Sequence, residues 1–147
     1  MRSSPLYFMC LLWLGCSYSL PEDVERASED LPEEVSYNFH IKPILSDRCY
    51  ACHGPDEEAR EADLRLDLEE HAKKLLESGS KAIVPKYPKR SELASRILSD
   101  DHDYQMPPPD SKLKLLPDEK AMLIRWIEQG ARFEKHWSFI PPVKTQL

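Results

Sequence analysis

The sequence predicts an all-α domain of short helices, and three observations carry that prediction. Apolar residues recur at helical spacing in several separate segments. Gly, Pro and Ser interrupt the chain between those segments. No strand–helix–strand alternation of the kind that builds a parallel sheet is present. At 147 residues there is room for one domain. The formal net charge of −6 is moderate and mixed along the chain. No basic stripe exists, so nucleic acid is set aside as a partner.

Residues 1–19 read as a signal peptide. Arg2 gives a basic start, Leu6 to Leu14 is an apolar run, and Ser17-Tyr18-Ser19 is a small-x-small site before Leu20-Pro21. The apolar run is too short to span a bilayer comfortably. An exported protein, periplasmic or extracellular, is therefore expected. The competing reading is an uncleaved leader that associates the protein with a membrane. Gly15-Cys16 hints at lipoprotein processing, although Trp13 and Leu14 fit such a site poorly. Residues 20–34 read as an acidic flexible spacer, because Pro21 to Glu34 carries seven acidic residues, one Arg and two prolines.

From residue 35 the pattern changes, and 35–135 is the expected domain. Phe39, Ile41, Ile44 and Leu45 give a helical apolar face leading into Cys49, provided Pro43 lies in the first turn. Gly54-Pro55-Asp56 breaks the chain. Leu64 and Leu66 alternate around Arg65 as in a short extended piece. Leu68 to Glu77 predicts a helix with Leu68, Ala72, Leu75 and Leu76 inward, stopped by Ser78-Gly79. Ala82-Ile83-Val84-Pro85 reads as extended. A further helix runs from about Ser91 to Leu98. The best-defined helix runs from Pro117 to Gln129, with Pro117 at its first position and Asp118 and Glu119 at the positive end of its dipole. Its Met122, Leu123, Trp126 and Ile127 form an apolar stripe, and Gly130 ends it.

Within this framework Cys49-Tyr50-Ala51-Cys52-His53 reads C-x-x-C-H, the attachment pattern of a c-type haem. Two thiols at i and i+3 share one face of a helical turn, where each can form a thioether with a vinyl group. The adjacent His53 can offer an imidazole nitrogen to the iron. Of four cysteines, Cys10 and Cys16 fall in the leader, so the exported chain keeps Cys49 and Cys52 alone. Two competing readings are a redox-active disulfide and half of a zinc site. The first should open a helix after a strand, and the second needs two further ligands at suitable spacing. His40, His71, His102 and His136 are scattered, and His40, His71 and His136 read better as surface or capping residues. About 100 residues of short helices make a thin core, which a large apolar macrocycle would complete.

A low-spin haem needs a sixth ligand, and Met106 is the leading candidate. It opens Met106-Pro107-Pro108-Pro109, where the prolines stiffen an extended loop able to hold a thioether at a fixed distance. Methionine ligation raises the potential by stabilising reduced iron. The alternatives are His102, which would lower the potential, and a Met106 that merely packs in the core. Met122, Trp126 and Trp137 read as packing residues. Arg65 is a candidate for a haem propionate or for a surface ion pair.

Several of these segments together resemble the planctomycete-type cytochrome c domain, a class I-like c-type cytochrome. They are Phe39 to Leu45, Asp47 to Asp56, Ala62-Asp63-Leu64-Arg65-Leu66-Asp67, Ile83-Val84-Pro85, Ser91-Glu92-Leu93, Met106-Pro107-Pro108-Pro109 and Trp126-Ile127-Glu128-Gln129-Gly130-Ala131. The resemblance implies a small all-α cytochrome c-like domain, terminal helices packed together, wrapped around one covalent haem c. It implies thioethers to Cys49 and Cys52, His53 as proximal iron ligand and Met106 as distal ligand. Two departures stand out. The family usually has Thr or Ser before the proline that opens the last helix, whereas Leu116 stands here, at a cost of about 1 kcal/mol in capping. Family members are usually N-terminal parts of larger secreted proteins, and residues 136–147, with His136-Trp137-Ser138-Phe139-Ile140-Pro141-Pro142, resemble a junction to further domains.

The function expected is single-electron transfer by an exported carrier rather than an enzyme. No general acid–base pair is evident, and two axial ligands leave no open iron position. The expected partner is a redox protein or an attached domain. The other readings are a haem enzyme or sensor in which Met106 is displaced, and a structural or binding module of a larger secreted protein.

Overall fold

The last long helix organises the molecule. In the computed structural model, which describes residues 19–135, it spans Pro117–Glu128 as predicted. Leu123, Ile124, Trp126 and Ile127 on it are at most 2% exposed, each contributing about 1.5–3 kcal/mol by burial. Gly130 and Ala131 follow in the left-handed region, at φ 104° and 47°, and the Ala131 N–H closes on the Trp126 carbonyl at 2.8 Å. The expected signal peptide, up to residue 18, and the tail 136–147 lie outside the described residues.

Among the described residues there are six α-helices, this one being the last: α1 (Glu22–Ser28), α2 (Lys42–Arg48), α3 (Tyr50–His53), α4 (Glu69–Lys73), α5 (Glu92–Ile97) and α6 (Pro117–Glu128). A π-helical turn covers Tyr37–Ile41, and short 3₁₀ turns cover Pro88–Arg90 and Pro109–Ser111. No β-strand occurs among the described residues, only one antiparallel bridge between Leu75 and Lys81. The helical character is as the sequence predicts.

The acidic stretch expected to be a flexible spacer departs from that expectation. Part of it is α1, packed along α6. Glu22, Asp23 and Glu25 sit in its first turn, where negative charge suits the helix dipole. Val24 is fully buried, and Arg125 of α6 donates to the Ser28 carbonyl at 3.1 Å. A single apolar side chain in a charged segment leaves little periodic signal, so tertiary docking decides this helix.

Two inward faces also differ from the prediction. Phe39 is 78% exposed, and Tyr37 is buried instead. The π-helical turn shifts the register, so Tyr37, Ile41 and Leu45 line up at intervals of four residues. Tyr37 then packs with Trp126 and Phe133, with ring centroids 5.8 and 4.7 Å away. The predicted Leu68–Glu77 helix is shorter, ending at Lys73, and leaves Leu68 and Leu75 exposed. There the chain turns back through Gly79 (φ 80°), with Leu76 N–H on the Ser80 carbonyl at 2.9 Å and Ile83 N–H on the Ala72 carbonyl at 3.1 Å.

Pro43 does lie in the first turn of α2. Ser91, fully buried, anchors the 84–91 turn. Its Oγ accepts from Val84 N–H at 2.9 Å and lies 3.0 Å from the Tyr87 carbonyl, to which it donates.

Candidate functional site

The Cys49–His53 segment is one helical turn, held on both sides. The Cys52 and His53 amides both point to the Cys49 carbonyl, at 3.2 and 2.8 Å. The following loop folds back onto the same turn: Glu61 N–H meets the Cys52 carbonyl and Leu66 N–H the His53 carbonyl, each at 2.8 Å. Gly54 makes this return possible. A Cβ there would lie 2.3 Å from the Tyr50 carbonyl oxygen, so the constraint is steric crowding.

Cys49, Cys52 and His53 all line one cavity of about 680 Å³, within the usual size range of ligand sites, about 300–1,000 Å³. Leu64 and Leu66 wall it beside the motif, and Ile97 and Leu93 contribute from α5. Met106 lines the same cavity, as do Pro107 and Pro108. The Met106 N–H donates to the Arg96 carbonyl at 3.1 Å, and the Met106–Pro107 peptide is cis. Ser111 closes the loop, with Oγ donating to the Pro108 carbonyl at 2.6 Å.

His102, the competing ligand, is not brought to this cavity. Its ring is exposed, with Nδ1 3.3 Å from Asp103. Arg65 does not reach the cavity lining either, because it pairs with Asp67 at 2.5 Å. His40 caps the turn before it, accepting from the Ser36 N–H at 2.9 Å. His71 keeps a buried Nδ1 without a partner, away from this cavity.

The donor chemistry fits a haem better than the alternatives. Burial pushes the Cys49 thiol up to about 12, with the Glu119 charge adding to it. A thiol so disposed stays protonated at neutral pH, unlike the acidic nucleophile of a dithiol oxidoreductase. Among the described residues, no group of three or more His, Cys, Asp and Glu side chains is placed to hold a metal ion. The His53 imidazole is lowered below its ordinary value, chiefly by burial, opposed by the Glu61 backbone and assisted by the Arg96 charge. It is therefore neutral at pH 7 and its lone pair is free. Its Nδ1 is buried with no hydrogen-bond partner. A neutral imidazole with an unsatisfied nitrogen, two thiols and a thioether around one apolar cavity suit a covalently held haem.

Arg96 and Glu92 on α5 also line the cavity, as do Leu113 and Leu115; sequence reasoning missed all four as site residues. The leucines had a signal. In Lys112-Leu113-Lys114-Leu115 the lysines are exposed and the leucines half-buried, a strict alternation. Arg96 and Glu92 had none, because an Arg and a Glu one helical turn apart read as a solvated pair.

Residues 49–110 match the family model described as Planctomycete cytochrome C. The match contains Cys49, Cys52, His53, His102 and Met106. No curated protein and no solved structure matches the chain.

Proposed function

We propose that this chain, which carries a planctomycete-type cytochrome c domain, is an exported electron carrier with one covalent haem c under His53 and Met106 ligation. Haem binding and electron transfer are what the family suggests; the ligand pair, the single cofactor and export are our reading. One observation carries it: Cys49, Cys52 and His53 line the same cavity as Met106, which lies more than fifty residues further along the sequence.

When bound, the haem supplies an iron that alternates between ferrous and ferric states. This chain's residues keep that change from moving atoms. Cys49 and Cys52 would hold the macrocycle from one helical turn, and the Glu61 and Leu66 amides clamp that turn. His53 is presented neutral. Met106 rides on a loop fixed at the Arg96 carbonyl and by the Ser111–Pro108 turn, which supports a fixed ligand over a displaceable one. The apolar walls exclude water and favour the less charged, reduced state. Export rests on the 1–19 leader, and among the described residues no helix is long and apolar enough to cross a membrane. A redox protein or an attached domain would exchange the electron.

The test is a pyridine haemochrome spectrum of protein expressed with haem-attachment machinery. One haem per chain, bound through two thioethers, is expected. In C52S one thioether should be lost, shifting the haemochrome band. A wild-type chain that carries no covalent haem under these conditions sinks the reading.

A further inference from the structure

The cavity wall contains a guanidinium with donors that the protein's own contacts do not use up. Two arginines line it, Arg48 and Arg96. Arg48 is engaged by Glu119 through Nε and Nη2, at 3.1 and 3.0 Å. Arg96 is differently placed. Its Nε donates to Glu92 Oε1 at 3.0 Å and its Nη1 to the Tyr104 carbonyl at 3.2 Å. Its guanidinium stacks 4.4 Å from the Tyr104 ring centroid, and Tyr104 Oη donates back to Glu92 at 3.1 Å. Nη2, with both its hydrogens, has no acceptor among the described residues. Three contacts thus fix an arginine in the wall of an apolar cavity while leaving donors over.

A haem carries carboxylate side arms as well as an apolar ring. A carboxylate entering a largely apolar cavity needs a hydrogen-bonded cation to offset its desolvation, and a planar guanidinium with free donors matches it geometrically. Arg65, the residue the sequence offered for this role, is engaged by Asp67 outside the cavity lining. We propose that Arg96 receives a carboxylate side arm of the haem, held for that role by Glu92 and Tyr104. Arg96 is then a binding residue that also joins the acidic edge of the cofactor to the Met106 loop, through its own carbonyl. This rests on the haem reading above.

The test compares the midpoint potentials and resonance Raman spectra of holoprotein variants. Arg96→Gln removes a positive charge and should lower the potential, because ferric iron is then less disfavoured. Glu92→Gln removes a negative charge and should raise it. Both substitutions break the same ion pair, so a purely structural latch on the Met106 loop would move both potentials downward together. The carboxylate bending band of the haem should shift in Arg96→Gln and stay in place in Tyr104→Phe, which keeps the stack and loses one hydrogen bond. Should Arg96→Gln fail to mature, Arg96→Lys keeps the charge and should stay nearer the wild-type potential than Glu92→Gln. Potentials that move the same way, an unshifted carboxylate band in Arg96→Gln, or the reverse order for Arg96→Lys would each overturn the proposal. The wild-type haemochrome separates these outcomes from failure of the haem reading itself.

Discussion

Arg48 and Glu119 join the two ends of the site's support. Arg48, the residue before Cys49, donates from Nε and Nη2 to the Glu119 carboxylate at 3.1 and 3.0 Å. The other carboxylate oxygen accepts the Leu116 N–H at 2.8 Å. Leu116 has no side-chain acceptor to cap α6, as the sequence implied, but Glu119 supplies the reciprocal half of the capping arrangement. One side chain therefore fixes both the start of α6 and the approach to the C-x-x-C-H turn.

Glu119→Ala should lower stability more than Arg48→Ala, since it also frees the Leu116 N–H. Loss of that cap contributes about 1 kcal/mol, lowering the melting temperature by about 4–8 °C for a domain of this size. Calorimetry on both variants checks the order, and equal melting temperatures would contradict it.

Met106 and His102 make opposite predictions for the same spectrum. Met106→Ala should abolish the thioether-to-iron charge-transfer band of the ferric protein and lower the midpoint potential. His102→Ala should leave both unchanged, since its ring is exposed and does not line the cavity. A band that survives in Met106→Ala would exclude it as ligand.

Gly54→Ala tests the crowding behind the motif. The added Cβ would meet the Tyr50 carbonyl oxygen at 2.3 Å and the Tyr50 Cβ at 2.8 Å, so backbone must move. Overpacking of this kind costs about 1–3 kcal/mol, and here it should also reduce the yield of covalently attached haem. An unaltered melting temperature and haem content would show that the turn yields easily.

Alkaline pH should weaken the fold through a tyrosine pair. Tyr37 and Tyr50 hydroxyls lie 3.4 Å apart, and burial above all raises both above the ordinary tyrosine value, the shared contact reinforcing it at Tyr50. The folded state then keeps protons that the unfolded chain releases. The stabilisation is complete below about pH 10, the unfolded value, and is lost as pH rises toward the folded values. Tyr50→Phe should flatten the fall in melting temperature between pH 9 and 11, within about 2 units of the ordinary value. A profile parallel to wild type would refute it.

The legible parts of this molecule are those encoded over one or two turns of chain. The C-x-x-C-H turn, the proline start and glycine stop of α6, and the position of α5 follow from local spacing and backbone preference. The core positions on α6 were likewise readable from its period, since an apolar stripe must face the interior. Phe39 and Leu75 were misread because a π-helical turn and a glycine turn shifted the register beyond their own local pattern.

By itself the sequence determined the helical class, the C-x-x-C-H spacing and the proline loop that follows Met106, all properties of adjacent residues. Tertiary structure decided the rest. It docked the acidic segment on α6 through Val24, and brought Met106 to the wall shared with His53 while leaving His102 in solvent. It also turned Arg96 from a surface-type residue into part of the cavity lining. These depend on which distant groups share a desolvated space, and that energy is set by packing across the chain, not by any local period.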